Sequence, residues 1–402
     1  MKKQVIIISS YFPPIISVAS NRLHAFAKYL DKNEFEVSVI FPYNGEVKKN
    51  EDSIQLFPIK NTSFLKYCSF NKNTNFILHK SKALWNRILI HLNIAQTGNF
   101  EKKAYKKAYE LIKLENNFIV ISSSPYFENH LIAKRLKDKF PNVKWIADLR
   151  DALSNNPYIP DNQTKKHHIV EKIILSHADA ITTVSLPIIE ELQTKNSRNI
   201  PIIEIRNGYD FEARLKFHYN DCFTMVYAGT FYANRTPETF FDALKSLIKE
   251  QQITDVRLVF LGSTSGIRIP DELYPIVERY DKIPYNEAVN IIQNADALLL
   301  IHPPTTYKGV YTGKLFDYLG AMRPIIAVVD KTDVAAQLIQ ECNAGFVADF
   351  NNIEAIKQAL MKAFNLWKNR QTLNYNQRLI MMHHRAYQVK ILEHLIRQLY
   401  RE

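Results

Sequence analysis

The 402-residue chain predicts an α/β protein made of two Rossmann-like domains facing a cleft. Three observations carry that prediction. Short β-branched runs alternate with amphipathic helical segments, which implies parallel sheets. The alternation runs twice, with a join near residues 206–222. At about 150 residues per domain, the length suits two or three domains.

Taken in order, VIIIS (Val5–Ser9) is a buried-strand run. After a Pro-Pro loop, Ser20 is expected to cap a helix in which Leu23, Phe26, Ala27 and Leu30 follow i, i+3, i+4, i+7 spacing. Strand runs continue at Val37–Ile40, Ile119–Ser124, Lys144–Asp148 and Ala180–Ser185. The second series opens at Phe223–Gly229, followed by a helix that Thr236 and Pro237 start. It continues through Arg257–Gly262, Ala297–Ile301 and Pro324–Val329. From about Leu373 the chain reads as one closing helix, with Leu379, Met382, Ala386, Val389, Leu392 and Leu399 on one side.

Composition narrows the function classes. Hydrophobic residues make up 46% and aromatics 12%, enough for large cores and too much for a disordered chain. The three cysteines lack CxxC spacing, which argues against a disulfide framework or a cysteine zinc site. The basic N-terminus precedes an apolar run too short for a secretory signal, and no run reaches the ~18 apolar residues of a membrane span. A cytoplasmic chain, at most peripheral on the inner face of a membrane, is expected. The net charge of +12 is uneven: residues 1–205 hold 29 Lys/Arg against 19 Asp/Glu, and residues 206–402 hold 23 against 21. A basic first half favours an anionic partner.

Residues 48–113 break the rhythm, with 13 Lys/Arg, 4 Asp/Glu and interleaved aromatics. They read as an insertion, either a solvated helical one or a dock for anionic membrane anchored by Phe64, Phe70 and Trp85. No nucleic-acid motif accompanies the charge, so nucleic acid is not an expected partner.

Four places look functional, each at the carboxyl end of an expected strand, where open α/β sheets bind ligands. The first is the loop after strand one, where Ser17, Ala19 and Ser20 flank a helix N-terminus that suits a phosphate or sugar. The second is ADLRD. There Asp148 and Asp151 around Arg150 can orient sugar hydroxyls, act as base, or form a structural ion pair. The third is YAGTFYANR, with Gly229, Thr230 and Arg235. The fourth is YTGKLFDYLG, in which Tyr311, Thr312 and Gly313 lead into a helix carrying Lys314 and Asp317. A cation at a helix start can meet a diphosphate, and a carboxylate one turn on can grip ribose. An exposed i, i+3 salt bridge accounts for the same spacing equally well. The adjacent pairs His167/His168 and His383/His384 point about 100° apart on a helix, a poor chelate, and no metal is expected.

The segments YFPP with NRLHAFAKYL and FEVSVI, then ADLRD, ADAITTVS with IRNGYD, VYAGTFYANR and GKLFDYLGAMRPII run in order from residue 5 to about 330. Together they resemble family 4-like glycosyltransferases of the GT-B fold, of the bacterial type that assembles capsule or O-antigen repeats. The resemblance implies transfer of a sugar from a nucleotide-diphosphate donor, UDP-linked, to a saccharide or lipid-linked saccharide. It also implies retention of configuration and no essential metal or other cofactor. Residues 1–205 would then form the acceptor domain and 206–385 the donor domain, with 386–402 returning to the first.

The family's donor loop G-R-x-x-x-x-K resembles this chain at Gly229 and at Arg235 in the lysine position, with Thr230 replacing the arginine. Asp317 stands where the family has its ribose-binding glutamate, while Gly309 stands at the partner glutamate eight residues earlier. Lys314 then takes part of the diphosphate charge, and backbone near Ile283 and Pro284 reads the base. Arg150 occupies the family's histidine position, and Ser17, Ala19 and Ser20 replace its Gly-Gly loop. The missing glutamate and Gly-Gly loop leave a non-catalytic partner subunit as the alternative. A nicotinamide oxidoreductase is disfavoured because no G-x-G-x-x-G follows the first strand.

Overall fold

The computed structural model describes residues 2–15, 17–45, 50–51, 53–60, 99–113, 118–156, 159, 161–214, 217–231, 236–264, 266–281, 283–304 and 307–401. The chain divides into two compact units, Met1–Arg206 with Val389–Glu402, and Asn207–Gln388.

In the first unit the elements are β1 (Lys3–Ile8), α1 (Val18–Tyr29), β2 (Phe35–Pro42), β3 (Asn50–Glu51), β4 (Ile54–Ile59), α2 (Phe100–Ile112), β5 (Phe118–Ser123) and α3 (Glu128–Lys139). They continue with β6 (Lys144–Leu149), α4 (Asp161–His177), β7 (Ala180–Thr183), α5 (Leu186–Lys195) and β8 (Ile202–Glu204). The strands form one sheet in the order β3-β4-β2-β1-β5-β6-β7-β8, parallel apart from the two-residue edge strand β3. The order reverses between β1 and β5, so the switch point of this unit lies at their carboxyl ends. Burial explains the run-like strand sequences. Val5 to Ile8 are all fully buried, as expected when helices cover both faces of a parallel sheet.

Three local expectations change in this unit. Helix α1 starts at Val18 rather than after Ser20, because the Ser17 hydroxyl accepts the Ser20 amide at 3.0 Å and serves as N-cap. The supposed insertion at 48–113 is in part integral to the sheet. Ile54 and Leu56 of β4 are core residues, and α2 buries Phe100, Ala104, Ala108 and Ile112. The sequence hid β4 because Pro58 interrupts it, yet Pro58 lies beyond the short β3 pairing, where a missing N–H costs no ladder bond. The proposed anchors Phe64, Phe70 and Trp85 lie outside the described residues.

The second unit contains β9 (Phe223–Ala228), α6 (Glu238–Lys249), β10 (Val256–Leu261), β11 (Val277–Tyr280), α7 (Tyr285–Gln293), β12 (Ala297–His302) and α8 (Gly313–Ala321). After these come β13 (Ile325–Val329), α9 (Val334–Glu341), β14 (Gly345–Asp349), α10 (Ile353–Lys368) and α11 (Gln377–Met382). Its six parallel strands run β11-β10-β9-β12-β13-β14, with the reversal between β9 and β12. Side chains alternate across the sheet. Val226, Leu298 and Leu300 pack into one core, while Met225, Tyr227, Leu299 and Ile301 pack into the other.

The closing helix is broken. Helix α11 stops at Met382, and the last helix, α12, spans Arg385–Leu399. Tyr209 takes the backbone groups between them, donating to the His383 carbonyl at 3.3 Å and accepting from the Arg385 amide at 3.0 Å. Met382, expected on the apolar side, is 52% exposed as a result of that break. From Val389 onward the helix belongs to the first unit, where Val389, Leu392, Leu395, Ile396 and Leu399 share a core with Val5, Phe35 and Val37. No helix among the described residues is long and apolar enough to cross a membrane.

Candidate functional site

The second unit places its candidate residues at the switch point. Gly229 continues β9 past its carboxyl end, donating to the Leu261 carbonyl at 2.7 Å, and holds φ at +128°. That conformation favours glycine. Helix α8 follows β12, the strand on the far side of the reversal, and starts at Gly313 with Thr312 at its N-cap. Thr312 is buried, and its hydroxyl has no hydrogen-bond partner among the described residues. Tyr311 is buried edge-on against Phe316, with ring centroids 5.4 Å apart.

Lys314, in the first turn of α8, lays its ammonium over the Tyr227 ring, 3.6 Å from the centroid. Tyr227 is backed by Phe231, stacked at 4.2 Å and 8°. A cation held this close to an aromatic face is attracted by the ring and loses freedom to wander. The Tyr318 hydroxyl accepts the Ala228 amide at 2.8 Å and fastens α8 to the end of β9. Lys314 and Gly229 therefore meet at one place, a positively charged helix start beside a bare backbone.

Asp317, one turn on, goes elsewhere. Its carboxylate accepts the Tyr285 hydroxyl at 2.7 Å. Burial pushes the carboxyl up to about 6, opposed by the Arg385 guanidinium and the Tyr285 hydrogen bond and reinforced by Asp210. The i, i+3 salt bridge that the spacing also allowed does not form, because the two side chains diverge to different partners. Pro284 occupies the N-cap of α7 and Ile283 is half-buried just before it, which sets that loop directly against the Tyr285–Asp317 pair. Thr230 is exposed, and Arg235 lies outside the described residues.

The first unit separates the ADLRD residues. Asp148 is fully buried. It accepts Arg22 Nη2 at 2.7 Å, Ser123 Oγ at 2.7 Å and Thr182 Oγ1 at 2.8 Å. Burial acts to raise its carboxyl, but the Arg22 charge with these hydrogen bonds outweighs it and holds the group below the usual carboxylate range. Asp148 thus offers no surface to an acceptor, and its expected role at the site gives way to an internal one. Arg150 and Asp151 remain at the carboxyl end of β6. Arg150 Nε donates to the Ser124 carbonyl at 3.2 Å, and its Nη2 lies 4.0 Å from the exposed Asp151. Ser17 is half-buried and engaged as a helix cap, and Ala19 and Ser20 are buried, so these three shape the loop.

Two residues at the same end escaped the sequence reading. Tyr11, just past β1, and Tyr126, just past β5, stack across the switch point with ring centroids 5.7 Å apart and planes 10° off parallel. Only their places after two strand runs that prove to be neighbours could have signalled this. Among the described residues no group of three His, Cys, Asp or Glu side chains gathers as a metal site.

No known family model matches the sequence, and no curated protein matches it. Solved structures do. Sucrose-phosphate synthase from Thermosynechococcus elongatus aligns with a TM-score of 0.67 at 13% identity, covering 99% of each chain. TarM aligns at 0.62 with 9% identity, again over 99% of each chain. The chain has the GT-B fold. The lipopolysaccharide outer core galactosyltransferase WaaB, in its apo form, aligns at 0.53 with 14% identity over 98% of this chain and 99% of its own. At such identities the GT-B likeness concerns architecture, two Rossmann-like domains, and the chemistry must come from the site.

Proposed function

We propose that the protein is a glycosyltransferase that takes a sugar from a nucleotide-diphosphate donor, UDP-linked, and passes it with retention to a saccharide or lipid-linked saccharide. The observation that carries this reading is the meeting of the Lys314 ammonium with Gly229 at the switch point of the second sheet. When the bond from sugar to diphosphate breaks, negative charge builds on the leaving phosphate. A fixed ammonium at a helix N-terminus stabilises that charge without reorganising. Arg235 is the second cation assigned to this task from sequence. Asp317 takes the ribose hydroxyls, and the backbone at Ile283 and Pro284 reads the base.

On the acceptor side, Arg150, Asp151 and the Tyr11–Tyr126 pair supply charge, hydroxyls and aromatic faces at the first unit's switch point. Lys102, Lys103 and Lys106 on α2 are exposed, which supports recruitment to an anionic membrane surface and hence a lipid-linked acceptor.

Calorimetry with UDP-, ADP- and GDP-glucose, followed by donor hydrolysis, tests the proposal. One nucleotide sugar should bind and be slowly hydrolysed, and Lys314→Ala should abolish the hydrolysis. Binding by none of them would leave a partner subunit without a donor site.

A further inference from the structure

Resting on the reading of Asp317 as the ribose ligand, we propose that Tyr285 is a positioning residue. Its hydroxyl fixes one oxygen of the Asp317 carboxylate so that the remaining lone pairs face two vicinal ribose hydroxyls. The contact is direct, Tyr285 Oη donating to Asp317 Oδ1 at 2.7 Å. A carboxylate accepts at about four lone-pair positions, so one bond to tyrosine orients its plane and leaves capacity for both hydroxyls of a ribose. Tyr285 is also the first residue of α7, immediately after Pro284. The same short segment therefore carries the proposed base-reading backbone and the group that aims the ribose ligand.

The surroundings explain why Asp317 needs this help. Gly320 sits one helical turn later on α8, and a Cβ there would stand 2.4 Å from Tyr209 Cγ, so the Tyr209 ring lies directly on the helix backbone. That close approach brings Asp210 toward Asp317, and the pairing of Tyr209 with His384 brings Arg385 beside both. Arg385 Nη1 lies 3.7 Å from Asp210 Oδ2, so its charge is divided between two carboxylates. Three groups bear on the Asp317 charge: Arg385 and the Tyr285 hydroxyl favour it, while Asp210 does not. A ribose hydroxyl donates more strongly to an ionised carboxylate than to a protonated one, which also gives up acceptor capacity to its own proton. Without Tyr285, burial and Asp210 would shift Asp317 further toward its neutral form near neutral pH.

The test combines two readouts. Carbon-13 NMR of the aspartate side-chain carboxyls, with Asp317→Asn identifying the signal, gives the Asp317 titration midpoint without any ligand. Calorimetry across pH 5 to 8 then uses whichever of UDP-, ADP- or GDP-glucose binds. Their diphosphates are esterified at both ends and keep a constant charge over that range. In the wild type, affinity should fall as the solution is acidified through the Asp317 midpoint. Tyr285→Phe should raise the midpoint by about one pH unit and move the binding limb up with it. It should weaken affinity about 5-fold at pH 7, the scale of one lost hydrogen bond. The phenylalanine keeps the ring, so the fold is retained. If Asp317→Asn weakens binding while Tyr285→Phe leaves midpoint and limb in place, the inference falls and the donor reading stands. If Asp317→Asn binds as tightly as wild type, the donor reading falls and takes the inference with it.

Discussion

A Cβ built on Gly229 would stand 2.9 Å from the ammonium nitrogen of Lys314 and 3.1 Å from its Cε, so the absent side chain of one residue is the space the other occupies. Gly229→Ala should therefore act twice. The left-handed φ is strained for alanine by roughly 1–2 kcal/mol, and the lysine must leave its seat on Tyr227. The expected result is a modest fall in Tm with a much larger fall in kcat. Equal wild-type kcat in a folded Gly229→Ala would show that Lys314 is not held there for catalysis.

Lys314→Ala should lower kcat by on the order of 10²-fold, the scale for losing one group that stabilises developing charge. Asp317→Ala contacts a part of the donor that does not change during reaction, so it should chiefly raise the donor KM. Asp317→Glu is the informative control, because it lengthens the ligand by one methylene and keeps the charge. Steady-state kinetics on the three variants separates these outcomes. Wild-type turnover in both alanine variants would place the donor site elsewhere.

Asp148 and Arg22 form a buried ion pair, and removing one partner leaves an uncompensated charge in the core. Asp148→Ala should cost about 3–5 kcal/mol and impair folding rather than one catalytic step. The Asp148 carboxyl lies lower in the folded protein than in the unfolded chain, so the stability it contributes is present above the unfolded value near 4. That stability is lost as pH falls through the lower folded value. Denaturant titrations at pH 7 and pH 3 measure it: Asp148→Ala should lose less relative to wild type at pH 3, by up to about 1 kcal/mol, since pH 3 lies only about one unit below the unfolded value.

Asp317 has the opposite sign. Its folded carboxyl sits at about 6, above the unfolded value, so the folded chain holds the proton more tightly. The associated stability is complete below about pH 4 and disappears as pH rises through 6. Asp317→Asn, neutral throughout, should be more stable than wild type at pH 8 by on the order of 1 kcal/mol, a value reduced for the side chain's partial exposure. Near pH 4 the two proteins should melt together. A variant less stable than wild type at pH 8 would show that the carboxylate is a structural asset.

What the sequence made legible follows from periodicity and from chain order. The central strands were readable because a strand buried on both faces is a continuous apolar run, as in Val5–Ile8 and Ala297–Ile301. Edge strands were not: β14 is half-buried, and Val277–Tyr280 faces solvent on its outer residues, so neither shows a run or a clean alternation. Lys314 and Asp317 were legible as a pair on one helix, but their divergence depends on Tyr227 and Tyr285, 87 and 32 residues before their respective partners. Asp148 looked like its neighbour Asp151, and only Arg22, 126 residues away in sequence, separates a core ion pair from a surface carboxylate. Tyr11 and Tyr126 each looked ordinary until β1 and β5 proved adjacent.

The last helix gives biosynthesis an order. Five of its apolar residues complete the core that Val5, Phe35 and Val37 begin, yet they are translated only after the whole Asn207–Gln388 unit. While the Asn207–Gln388 unit is emerging, the Met1–Arg206 segment already exists with one side of its sheet unsealed. The second unit, whose residues are contiguous, can reach its native state before the first, reversing the usual N-terminal-first sequence of events. A nascent chain stalled before Val389 would thus expose apolar surface in its Met1–Arg206 segment, and that is where a chaperone would be expected to bind.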